Sequence, residues 1–214
     1  MHPLIIRWPG SHLIISCMRP TALALALMLA ACSPAAMFSA PTPLPDGLPT
    51  RAPKAIFVET PIVPPDVPMI DVNGRSVTLS TLRGKFVFVT VSNIDCVQAC
   101  TDGLTLFRAV KHLLGERSDV AYLLIGTDIK VDSPRAMKAY LAEFDPAFLG
   151  YTAERAQMRD LLVHFGIHTF IRSDGALAPH APFTYLIDRQ GRLVYFFQTG
   201  LTPLQVVEAA RKVL

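Results

Sequence analysis

Residues Lys85 to Val91 read Lys-Phe-Val-Phe-Val-Thr-Val, a continuous run of aromatic and β-branched residues. A strand of this kind has no face to offer to water, so it belongs inside a sheet covered on both sides. Val120 to Gly126 is a second such run. Between them Leu104, Phe107, Val110 and Leu114 recur at helical spacing, and Gly115 follows as a stop. Buried strand, amphipathic helix and buried strand in succession call for an α/β layer structure.

The flanking segments extend this pattern. Met69 to Val72 reads as a strand, Asn73-Gly74 as a tight turn and Ser76 to Leu79 as the returning strand. Ser133-Pro134 opens a helix as N-cap and first position, with Met137, Tyr140, Leu141 and Phe144 facing inward. A further helix is expected from about Ala153 to Phe165. Phe183 to Asp188 and Leu193 to Phe197 flank Arg189-Gln190-Gly191-Arg192 as a hairpin, and Thr202-Pro203-Leu204-Gln205 is a capping box opening the last helix. The expected product is a mixed central sheet flanked by helices. With two cysteines at the first strand–helix junction, this order looks like a thioredoxin fold.

The N-terminus carries an address. Residues 1–31 contain no acid, and only Arg7 and Arg19 are charged. Arg19-Pro20 precedes an apolar Ala/Leu run, Thr21 to Ala31, too short to span a bilayer and of the length of a signal-peptide core. It ends in Leu29-Ala30-Ala31-Cys32, which resembles a bacterial lipobox, where the Cys thiol receives a diacylglycerol and becomes the mature N-terminus. An ordinary signal with a chance Cys is the alternative. Met18 opens a more typical short signal than Met1 does. Ser33 in place of Asp favours the outer membrane over the inner by analogy with known sorting. An exported address also implies an oxidising compartment, where thiols tend to pair.

Ten of the 18 prolines lie between Pro34 and Pro68. Residues 32–68 are therefore expected to form a stiff, extended tether, with the folded domain running from 69 to 214. Net charge is +3 for the whole chain and falls to +1 without residues 1–31, because 18 basic residues then face 17 acidic ones. No run of like charge stands out, which argues against nucleic acid as a partner.

Of four cysteines, Cys17 and Cys32 belong to the signal region. The domain keeps Cys96 and Cys100 in Asp95-Cys96-Val97-Gln98-Ala99-Cys100. A spacing of four is about one helical turn, so both thiols are expected on one side of a helix start, where the dipole favours thiolate. Three chemistries fit: a structural disulfide across a small loop, a redox pair, or two thiolate ligands for a soft ion such as Cu(I). A peroxidase on this fold wants Ser or Thr three residues before the reactive Cys, and Asn93 stands there. A lipoprotein with a thioredoxin-like interaction domain and no chemistry would leave the Cys pair unexplained.

A metal site needs a further ligand. His2 and His12 leave with the signal, His112 is expected on the solvated face of its helix, and His164 and His168 flank a helix end. His180 differs, because it sits in Ala178-Pro179-His180-Ala181-Pro182 just before the strand that begins near Phe183. In a thioredoxin fold that loop packs against the start of the Cys-bearing helix. Pro182 also has the spacing of the cis-proline that opens such a strand in thioredoxin-like oxidoreductases, so a cis Ala181–Pro182 bond is expected.

Cys96, Cys100, His180 six residues before Leu186 in Tyr185-Leu186-Ile187-Asp188, and the segment Asp128 to Pro134 together resemble the Sco (SenC-type) family of copper-binding proteins. The resemblance spans about residues 66–214. Family members usually carry Pro after each Cys, where this chain has Val97 and Thr101, and often Asp before the His, where it has Pro179. The resemblance implies copper, as Cu(I) or Cu(II), held by Cys96, Cys100 and His180. It implies a metallochaperone serving the cytochrome oxidase subunit that carries the CuA site, with other copper chaperones or thiol reductants as further partners. It also fits a periplasm-facing protein of the bacterial cell envelope, held to the membrane by a lipid anchor. The rival chemistry is a thiol–disulfide oxidoreductase in which Cys96 attacks and Cys100 resolves.

Lipidation is directly testable. Cys32→Ala should release the protein from membranes and abolish diacylglycerol labelling. Unchanged membrane retention and processing would refute the lipobox assignment.

Overall fold

The computed structural model describes residues 52–95, 99–167 and 183–214, with the side chains of 99–101 excepted. Its elements are β1 (Ala55–Ile62), β2 (Met69–Asp71), β3 (Ser76–Val77), β4 (Phe86–Ser92), α1 (Ala99–Leu114), β5 (Val120–Gly126), α2 (Pro134–Ala142), β6 (Leu149–Thr152), α3 (Arg155–His164), β7 (Thr184–Ile187), β8 (Leu193–Phe197) and α4 (Pro203–Ala210). A 3-10 turn, Leu79–Leu82, takes up the end of the segment expected to continue β3.

One sheet contains all eight strands, in the order β1-β8-β7-β4-β5-β6-β2-β3. β4, β5 and β6 run parallel, and the remaining pairs are antiparallel. β4 divides its side chains between two cores. Phe86 and Phe88 pack with α1, α2 and α4, whereas Val87, Val89 and Val91 pack with α3. Neither face of the strand is wet, and the mixed, helix-flanked sheet matches the sequence expectation.

Aromatic rings join α1 to the sheet. Phe88 stacks on Tyr122, its direct partner across β4 and β5, at 5.5 Å between centroids. Phe107 of α1 lies 5.6 Å from Tyr122 and 6.0 Å from Phe148 in an edge-on contact. Such pairs contribute roughly 0.5–1.5 kcal/mol each beyond their area. α2 begins at Ser133, whose hydroxyl accepts the Ala136 N–H, and α4 carries the full Thr202–Gln205 capping box.

Part of the segment expected as a tether, residues 32–68, belongs to the sheet. Ala55–Ile62 is a strand on the sheet edge, paired with β8. Its pairing jumps from Phe57↔Tyr195 to Ile62↔Leu193, so the residues between, including Pro61, form a bulge. An edge strand tolerates proline there, because the bulged residues have no partner in the ladder with β8. β6 also went unforeseen: it is four residues long and contains Gly150, where any Cβ would run into Met137 and Leu141 of α2. The expected cis Ala181–Pro182 bond lies outside the described residues.

Two turns are built alike. In Asp71-Val72-Asn73-Gly74-Arg75, Asp71 accepts the N–H groups of Asn73 and Arg75 and the Nε–H of Arg75. In Asp188-Arg189-Gln190-Gly191-Arg192, Asp188 does the same for Gln190 and Arg192. Both glycines take positive φ, 77° and 82°, which closes the turn at no side-chain cost.

Burial opposes the charge on Asp71, but the Arg75 and Asn73 N–H groups and the Arg75 guanidinium outweigh it and hold the carboxyl below its usual range. A depressed folded pKa stabilises the fold above the unfolded value near 4 and loses that contribution as pH falls through the folded one. Asp71→Asn should therefore cost about 1–3 kcal/mol at neutral pH and make the acid side of the stability curve shallower. Urea unfolding between pH 2 and 7, ranges taken from ordinary carboxylate titration, measures both. A variant with the parental acid slope would remove Asp71 from the account.

Candidate functional site

β4 leaves the sheet at Ser92, and the chain then turns at Ile94 and Asp95 before α1 begins at Ala99. Cys96 lies in the three residues between, outside the described set. Cys100 is the second residue of α1, so its backbone sits in the first helical turn, where N–H groups have no helical partner. The side chain of Cys100 and the whole of His180 are likewise outside the described residues. So is His168.

The sheet register brings the start of β7 to the same end of the molecule as the exit of β4. β7 is antiparallel to β4 with Thr184 opposite Thr90. The chain thus comes into β7, at Phe183, where β4 approaches its exit toward the cysteines. A cleft of about 260 Å³ lies there, lined by Thr90, Gly103, Leu106, Phe183, Phe197 and Leu201 among others. Asp102, also on its wall, is exposed in the first turn of α1. Two of the histidines set aside on sequence grounds, His112 and His164, are described. His112 and His164 are both exposed, and His164 Nδ1 lies 2.8 Å from the carbonyl of Asp160 in its own helix. Among the described residues no group of three or more His, Cys, Asp or Glu could hold a metal ion.

Gly103 determines how closely the Cys-bearing helix approaches the sheet. A Cβ at this position would stand 2.7 Å from Thr90 Oγ1 and 3.3 Å from Thr90 Cβ. Thr90 is short, β-branched and buried, so it cannot swing aside. The start of α1 rests on β4 because residue 103 has no side chain.

The turn that precedes Cys96 is held by a residue to which sequence reasoning gave no role. Asp132, fully buried, accepts the Ile94 N–H at 2.8 Å through Oδ1 and the Asp128 N–H at 2.8 Å through Oδ2. Burial pushes its carboxyl up to about 6; the N–H groups of Asp128 and Ile94 pull against this, and the nearby Asp128 charge adds to it. The available signal was an aspartate closing the Asp128-x-x-x-Asp132 spacing immediately before a helix cap.

A family model described as SCO1/SenC matches residues 61–214. An SCO2-like protein of Rickettsia conorii is 28% identical over 152 residues, covering 68% of this chain and 74% of its own length. The copper-bound structure of Bradyrhizobium japonicum ScoI superposes with a TM-score of 0.59 at 26% identity, covering 72% of this chain and 98% of that one. BsSco, described as a member of the Sco family of cytochrome c oxidase assembly proteins with a disulfide switch, shares the fold at a TM-score of 0.58 and 17% identity, covering 73% of this chain and 96% of its own.

The close contact at Gly103 makes a prediction. Alanine is a better helix former by about 1 kcal/mol, yet Gly103→Ala should destabilise the protein by roughly 1–3 kcal/mol through overpacking. In a Thr90→Ala background the same change should be neutral or stabilising. Equal destabilisation in both backgrounds, measured by thermal unfolding, would mean that the helix–strand contact is not the cause.

Proposed function

Because the chain belongs to the SCO1/SenC family, we propose that it is a membrane-anchored Cu(I)-binding metallochaperone serving the CuA site of a cytochrome oxidase. What supports this reading is the family match together with the position of Cys100, the second Cys of the Cys-x-x-x-Cys segment, in the first turn of α1, at the end of the sheet where the chain arrives in β7. Cys96 and Cys100 bind the ion as thiolates, favoured at a helix N-terminus. His180, three residues before Phe183, supplies the third ligand as neutral imidazole. Soft sulfur donors select Cu(I) over harder divalent ions. Copper is cargo here, so it must be held tightly and still leave. Three-coordination permits this, because an incoming thiolate adds before a resident ligand departs.

The lipid at Cys32 holds the domain to an envelope membrane, facing the periplasm, with the Pro-rich segment before Ala55 as the tether. Among the described residues no helix is long and apolar enough to cross a membrane.

A second reading has support in the disulfide switch of BsSco. The Cys96 thiolate attacks a partner disulfide and forms a mixed disulfide, releasing one partner thiolate. The Cys100 thiolate then attacks Cys96 Sγ and releases the second. The partner gains two electrons, and the Cys96–Cys100 pair loses two.

Anaerobic Cu(I) titration against a competing chelator separates the two readings. The protein should carry Cys17→Ala and Cys32→Ala, leaving Cys96 and Cys100 as its only thiols. Reduced protein should bind one Cu(I) per chain. Cys96→Ala or Cys100→Ala should abolish tight binding. His180→Ala should weaken it by about 10- to 100-fold, or roughly 1.4–2.8 kcal/mol, while the disulfide still forms. Unchanged affinity in His180→Ala would remove the third ligand. A parent that binds no Cu(I) but rapidly reduces model disulfides would establish the oxidoreductase.

A further inference from the structure

Past Ser92, β4 has no sheet partner to direct it. Ser92 ends its pairing by accepting the Thr127 N–H at 3.0 Å, and β5 has already turned away at Gly126. Ile94 lies two positions past that point, and Cys96 two positions past Ile94. The Ile94 N–H donates to a side chain 38 positions along the chain, Asp132 Oδ1.

Asp132 is itself held from three directions. Its N–H donates to the Asp128 carbonyl, as does that of Val131, and Oδ2 accepts the Asp128 N–H, so residues 128–132 form a closed turn. Asp128 Oδ1 adds a bond from the Lys130 N–H. On the other side Ser133 caps α2. Below it lies Gly126, where a Cβ would come within 2.6 Å of Asp132 Cβ. The pocket for this carboxylate exists because residue 126 has no side chain.

Among the described residues no cation pairs with Asp132. A buried carboxylate without a counter-ion is costly, and N–H donors offset only part of that cost. Backbone pairing between the two loops could hold the fold together with no ionisable group. The carboxylate does something backbone could not: it presents acceptors to both loops at once and no donor to either. Asparagine would aim its NH₂ group at one of the N–H donors and break that bond. We infer that Asp132 is a positioning residue for Cys96: it pins the Ile94–Asp95 turn to the β5–α2 loop and so determines where the first thiol stands relative to the start of α1. This deepens the copper reading and rests on it. It also applies to a redox pair, because thiol separation governs disulfide formation.

The test uses the full-length chain with Cys17→Ala and Cys32→Ala. Amide hydrogen exchange on this parent should show Ile94 protected and Asp95 not. Asp132→Asn should keep the parental circular dichroism and lose protection at Ile94. Its Cu(I) affinity should fall on the order of tenfold to a hundredfold, and the reduction potential of the Cys96–Cys100 pair should shift. Asp71→Asn, a comparably buried aspartate at a distant turn, controls for loss of stability and should leave affinity and potential unchanged. An Ile94 amide in the parent that exchanges as fast as Asp95 would overturn the proposal without any variant, even if Asp132→Asn failed to fold. So would parental affinity and potential in Asp132→Asn. If the parent binds no Cu(I), the copper reading fails, and the potential and exchange measurements still decide the role of Asp132.

Discussion

β4 is buried on both faces, and the rest of the domain is arranged around that requirement. Its phenylalanines need α1 and α4 above the sheet, and its valines need α3 below. Burying a large apolar side chain contributes roughly 1.5–3 kcal/mol, so exposing either face of this strand would remove much of a small domain's net stability. Flanking strands are equally necessary, since a backbone buried on both faces must find its hydrogen bonds in the sheet plane. β5 and β7 provide them, one parallel and one antiparallel.

The functional end follows from where this strand stops. A rigid central strand delivers its last residue to a well-defined place, and the loop beyond it is free of the ladder. Gly103 brings α1 onto Thr90, and Asp132 ties down the Ile94 turn. The Cys segment therefore runs between two anchored points. β7 starts beside it because an antiparallel neighbour of β4 must begin where β4 ends.

Much of the fold was readable from local signals. The Thr202–Gln205 capping box, the Ser133 cap, the Asn73-Gly74 turn and the apolar face of α1 all act within a few residues, and each appears as expected. β1 was missed because Pro61 and the prolines that flank the strand report on chain stiffness. The bulge that accommodates Pro61 exists only against β8. β6 carries Gly150, whose lack of a side chain admits α2, a contact no local signal announces. The proposed donors Cys96, Cys100 and His180 were named from residue type, spacing and family resemblance, and apart from the Cys100 backbone they lie outside the described residues. Asp132 was not given a role, since its partner lies 38 residues away.

The sequence by itself determined that one strand would be covered on both sides, where the helices start, and which soft and imidazole donors the chain has to offer. These properties depend on side-chain period, on caps and on residue type, all of which act over one or two turns of backbone. Only the tertiary structure decided that β8 and β7 lie between β1 and β4, that a proline-containing segment closes one edge, and that a buried carboxylate from the β5–α2 loop holds the turn before Cys96. Those outcomes depend on which distant groups meet once the core has closed. A carboxylate is a surface residue in one such closure and a buried anchor in another, and the Asp128-x-x-x-Asp132 spacing alone does not show that its other oxygen meets Ile94.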